Sequence, residues 1–153
     1  MMVLALGVSG YAQDSPSSVT NQFLSSLSGT PDKQRDWEKL SAMMSPNCRM
    51  TVVKGESGNS FTGAEFLKMV KENSAKAPFT EQAIEEKTVV FGHIAHVFQS
   101  YEKWSDPKKK GYGINIYTLV QTENGWVIHD VIWEDVASRE ELTTHWNKML
   151  AEW

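Results

Sequence analysis

The chain has 153 residues, 41% of them hydrophobic and 10% aromatic, which suits one domain with a core of its own and is too apolar for a disordered segment. Its formal net charge of −4 and pI near 5.6 argue against a nucleic-acid partner, which needs a basic surface. The one cysteine, Cys48, excludes an internal disulfide and has no zinc-type spacing around it.

Residues 1–12 read M-M-V-L-A-L-G-V-S-G-Y-A, a short apolar run closed by small residues at Gly10 and Ala12. That is the pattern of a secretory signal peptide ending at Ala12. The charged stretch that usually opens a signal is missing, so the run reads as the tail of a longer one. It is too short to span a membrane. Export to the periplasm or the medium is expected, without stable membrane insertion. One domain then covers 13–136, and a C-terminal helix covers 137–153.

Pro16-Ser17-Ser18 opens a first helix, with Val19, Phe23, Leu24 and Leu27 at helical spacing, and Ser28-Gly29-Thr30-Pro31 ends it. A second helix is predicted from Asp32 to Met44, with Trp37, Leu40, Met43 and Met44 on one stripe. Cys48 to Lys54 reads as a strand and Gly55 to Asn59 as a turn. A third helix spans Gly63 to Ala75; Thr62 and Glu65 have the spacing of a capping box.

From Phe79 the pattern changes to β, with strands predicted over 80–90, 93–104, 112–122 and 126–136. Lys108-Lys109-Lys110 reads as a solvated loop tip. Glu123-Asn124-Gly125 is a hairpin turn, and Ser138-Arg139-Glu140-Glu141 caps a last helix reaching about Leu150. Helices segregated from a meander imply α+β: a curved antiparallel sheet packed against N-terminal helices, forming a cone with a pocket.

Three stretches carry a resemblance: F-G-H-I-A-H-V-F-Q-S-Y-E (91–102), G-I-N-I-Y-T-L-V (113–120) and N-G-W-V-I-H-D-V-I-W-E (124–134). Together with the order of the earlier helices, they resemble the nuclear-transport-factor-2-like, or SnoaL-like, superfamily. Within it they are similar to small exported bacterial members of unassigned function. The resemblance covers most of the chain and implies a cone-shaped pocket and a homodimer through a sheet face. It implies no single activity, because the superfamily holds isomerases, dehydratases, cyclases, hydrolases, immunity factors and binding modules.

A two-residue Asn-Gly turn would pair Glu123 with Trp126. Leu119 would then oppose Asp130, Tyr117 would oppose Ile132, and Asn115 would oppose Glu134. On that register Asp130 lies among Ile128, Ile132 and Leu119, where desolvation raises a carboxyl pKa and suits it to acid–base work. The alternative is an Asp at the sheet rim, solvated or bonded to Tyr117 or Asn115. His96 is the second catalytic candidate, against a structural histidine bonded to a neighbouring strand or to Glu102.

Tyr101, Glu102, Asn115, Tyr117 and Trp133 are the candidate ligand contacts, the aromatic ones as platforms for a flat apolar molecule. His93 and His96 are three apart and face opposite sides of a strand, so no metal is expected. No glycine-rich phosphate loop or nucleophile elbow occurs, and no cofactor is expected. Both sheet faces are largely apolar, so the outer one is either covered or a homodimer interface. Three functions fit: binding of a small, largely apolar organic molecule; a cofactor-independent lyase or isomerase using Asp130 or His96; and a protein-interaction module.

Overall fold

The computed structural model describes residues 14–106 and 108–153. The expected signal segment lies outside them. The elements are α1 (Pro16–Leu27), α2 (Trp37–Ala42), β1 (Met44–Lys54), β2 (Ser57–Thr62), α3 (Gly63–Ser74), β3 (Thr80–Phe91), β4 (Ile94–Asp106), β5 (Lys109–Thr122), β6 (Gly125–Val136) and α4 (Arg139–Ala151). The strands form one curved, open sheet in the order β2-β1-β6-β5-β4-β3. Neighbours are antiparallel except β1 and β6, which run parallel. The fold is α+β, as the sequence predicts.

The inner face of the sheet carries α1, α2 and α3. Phe23, Leu27, Leu40 and Leu67 pack there against Met50, Val97, Leu119 and Val131. The capping box at Thr62 and Glu65 forms as expected, with both reciprocal bonds made. The outer face is partly covered by the chain itself. Leu142 and Trp146 of α4 are buried, each worth about 1.5–3 kcal/mol in removed apolar surface. Trp153 meets Phe98 edge-on at 5.3 Å.

Three local expectations change. The second helix shrinks to Trp37–Ala42, capped by Asp36. Its expected first turn is used otherwise: Arg35 Nε donates to Leu27 O at 2.8 Å, and Lys33 Nζ to Ser25 O at 2.9 Å. These donors satisfy carbonyls at the end of α1 that have no partner within that helix. The expected strand at Cys48 begins at Met44 instead. The expected turn after it contains the first half of an edge strand, β2, whose polar sequence S-G-N-S-F-T has no apolar alternation to announce it. Thr51 and Ser60 hydroxyls, 2.8 Å apart, tie it to β1.

The β5–β6 register is the main correction. Thr122 pairs with Gly125, so the loop residues are Glu123 and Asn124. The only positive φ there is at Gly125, +106°. Glycine therefore follows the turn instead of occupying its centre, and the pairing moves by two residues. A bulge then follows: Leu119 opposes Ile128 but Thr118 opposes Asp130, leaving His129 as the extra residue. Beyond the bulge Tyr117 opposes Val131 and Asn115 opposes Trp133. One residue of slip exchanges the faces. Val131 and Trp133 turn inward with Asn115 and Tyr117, while Asp130 turns outward with Ile132 and Glu134.

Candidate functional site

A cavity of about 360 Å³ lies between the inner sheet face and the helices. That is within the range of small-molecule sites. Its walls are mainly apolar. Phe23, Leu24 and Leu27 come from α1, Phe66 and Val70 from α3, and Phe79 from the loop before β3. Phe66 joins the walls, stacked on Phe23 at 6.5 Å and edge-on to Trp133 at 5.9 Å.

The sheet supplies a polar end. Glu81, Lys103, Asn115 and Tyr117 line it. Asn115 Nδ2 donates to Glu81 Oε1 at 2.7 Å and to Gln99 Oε1 at 3.4 Å. Tyr117 also donates to Gln99 Oε1, at 3.4 Å. The network thus satisfies polar groups of three adjacent strands, as burial demands.

Glu81 is held in place by its backbone. Its N–H donates to Ser28 Oγ at 3.0 Å, and Ser28 Oγ donates to Leu24 O at 2.8 Å. Gly29 and Phe79 exchange both backbone bonds, stitching the end of α1 to the start of β3. Burial pushes the Glu81 carboxyl up to about 7, against smaller opposing effects of the Asn115 hydrogen bond and the Lys103 charge. Asp135 adds a little to the rise.

Lys103 is neutralised in place. Its Nζ lies 2.6 and 2.7 Å from the two oxygens of Asp135. Tyr101, buried beneath this end, also donates to Asp135 Oδ1, at 2.5 Å. Burial first, then that hydrogen bond, drives its phenol far above the usual tyrosine range.

The sequence-predicted residues therefore divide. Asn115, Tyr117 and Trp133 line the cavity, and Tyr101 lies under its floor. Glu102 is on the outer face, bound to Lys110 Nζ at 2.8 Å and accepting from Gln82 Nε2 at 2.7 Å. His96 is exposed on that same face, 3.3 Å from Thr118 Oγ1. Asp130 opposes Thr118 and Arg49 there. Desolvation raises its pKa, with His129 and Arg49 opposing the rise, but it does not line the cavity.

Glu81 is the residue that sequence reading missed. The F-T-E-Q run marks only a strand start, and its burial comes from α1 and the 75–79 loop folding over it. Cys48 is buried, with its thiol pushed up to about 11 by desolvation, which leaves it a poor nucleophile. Among the described residues no cluster of three or more His, Cys, Asp or Glu could hold a metal ion. No helix among them is long and apolar enough to cross a membrane.

An open α+β cone with a ligand-sized, mostly apolar cavity is thus the class of protein this chain forms. No family model and no curated protein matches it. Solved structures do. A conserved protein from Planctomyces limnophilus aligns with a TM-score of 0.66 and 16% identity over 78% of this chain and 92% of that one. A candidate dehydratase of the NTF2-like family from Streptomyces avermitilis gives 0.58 and 15% over the same shares. A candidate scytalone dehydratase from Novosphingobium aromaticivorans gives 0.59 and 13%, covering 77% of this chain and 79% of that one. The chain has the NTF2-like fold. At these identities the likeness is one of fold.

Proposed function

We propose that this protein binds a small, largely apolar organic molecule in the cavity between α1, α3 and the sheet. The observation that carries the reading is the cavity itself: about 360 Å³, aromatic and aliphatic along its walls, with hydrogen-bonding groups gathered at one end. An apolar body would lie against Phe23, Phe66 and Trp133, and a polar group would meet Glu81 and Asn115. Native mass spectrometry followed by denaturation tests it. One released small molecule per chain is expected; a chain that carries none and takes up no apolar probe would defeat the reading.

A second reading, cofactor-independent proton transfer in a lyase or isomerase, is favoured by one observation. Glu81 lines the cavity with a pKa near 7, which suits a general acid or base at neutral pH. On this reading Glu81 is a stronger candidate than Asp130 or His96, which face away from the cavity. An activity whose pH profile turns near 7 and vanishes in Glu81→Gln would establish it.

The remaining expectations belong to the same proposal. The protein is exported by a bacterium to the periplasm or medium. It forms a homodimer through the part of the outer face that α4 leaves open, where Ile94 and Ile132 are 49% and 40% exposed.

A further inference from the structure

The geometry points to an apolar amine as the class of ligand the cavity takes, its ammonium paired with the Glu81 carboxylate. This rests on the binding reading above and goes beyond it by fixing the sign of the ligand's charge.

Three observations carry it. The first is the charge balance at the polar end. Two ionisable groups of opposite sign line the cavity there, Glu81 and Lys103. Lys103 is already paired with both oxygens of Asp135. Glu81 has no cationic partner in direct contact: Asn115 occupies Oε1, and Oε2 has no hydrogen-bond partner among the described residues. The unmatched charge available to a ligand is therefore negative. A ligand carboxylate would be repelled, and an ammonium would gain a charge-assisted bond.

The second is the wall. Phe23, Phe66, Phe79 and Trp133 put aromatic rings around the same space. They suit an apolar body, and their faces attract a desolvated cation.

The third is a route for the proton. Glu81 and Leu24 line not only the cavity but also an open groove between α1 and β3, together with Ser18, Asn21, Ser25 and Gln82. Glu81 thus stands between the cavity and a polar groove open to solvent. Below its pKa, Glu81 must lose a proton when the ammonium arrives, and that proton has a polar exit apart from the cavity. The groups bearing on this titration are Lys103 and Asp135 on the sheet and the Asn115 amide. The phenols of Tyr101 and Tyr117, pushed above the usual range, stay protonated throughout. The residues of α1 bear no charge.

Isothermal titration with three probes of similar size tests the inference: 2-phenylethylamine, 2-phenylethanol and 3-phenylpropionate. The amine should bind tightest and the carboxylate weakest. Because Glu81 ionises at about 7, amine affinity should rise by about tenfold from pH 6 to pH 8, with the alcohol nearly flat. Glu81→Gln keeps an acceptor for Asn115 and should bring amine and alcohol to equal affinity at pH 8, with the pH dependence gone. Equal binding of amine and alcohol by the unaltered protein at pH 8 would overturn the amine assignment and leave the apolar site standing. Failure of all three probes to bind would overturn the site itself, and the assignment with it.

Discussion

The hydroxyl of Tyr101 on β4 donates to the carboxylate of Asp135 on β6, passing over an intervening strand at Gly113. These three residues form one row across the sheet, and only a residue without a side chain leaves room for the phenol. A Cβ at Gly113 would stand 2.2 Å from Tyr101 Oη and 2.4 Å from Glu134 O. Gly113→Ala should therefore cost about 1–3 kcal/mol by forcing the ring or the strand aside. Urea denaturation measures it; an unchanged midpoint would mean that the row is not packed as described.

Glu81 links stability to pH. In the folded chain it holds its proton up to about pH 7, whereas an unperturbed glutamate releases it near 4.5. Between those values the folded state binds more protons than the unfolded one, so stability falls as pH rises and the loss is complete above about 7. Glu81→Gln lacks that loss. Its stability relative to the parent should improve from pH 5 to pH 8 by on the order of 2–3 kcal/mol, allowing for residual access to the cavity. Parallel denaturation curves at the two pH values decide it, and a constant difference would contradict the assignment.

Asn115 is the main brake on that titration. Its amide bond to Glu81 favours the ionised carboxyl, and its bond to Gln99 satisfies a second buried group. Asn115→Ala should raise the Glu81 pKa further and cost about 1–3 kcal/mol of stability. The carboxyl carbon resonance of Glu81, followed through pH 5–9, reports the first effect directly. A pKa that stays put or falls would show that the hydrogen bond does not set it.

Removal of α4 tests the cover on the outer face. A chain truncated after Val136 loses Leu142 and Trp146, both buried against the sheet, and leaves Ile114 and Ile116 with less cover. Such a surface should self-associate. Sedimentation velocity should find larger species than for the full chain; the same species at equal concentration would mean that α4 shields little.

The sequence announces most of the fold because its signals are local. Thr62 and Glu65 make a capping box with the neighbours that their spacing implies, and the long strands 80–136 are bounded by glycines, prolines and polar turns. β2 escapes notice because an exposed edge strand needs no apolar face. The sheet register escapes because two departures compound: Gly125 follows its turn, and His129 is left over as a bulge. Either depends on backbone geometry that an Asn-Gly pair does not specify. The two-residue shift alone would keep the faces; the bulge exchanges them, so Asp130 parts from Leu119 and Tyr117, and Val131 and Trp133 join Tyr117 and Asn115. Glu81 escapes because alternation gives its face but not its cover, which comes from α1, far earlier in the chain, and from the loop before β3.

On the function proposed here, ligands enter the inner cavity and not the polar outer face of the sheet. Amide and side-chain chemical shifts, recorded while 2-phenylethylamine is titrated into the protein, test it most directly. Saturable shifts are expected at Phe23, Phe66, Glu81, Asn115 and Trp133, with His96, Glu102 and Asp130 unmoved. Shifts centred on His96 and Asp130, with a silent cavity, would contradict it.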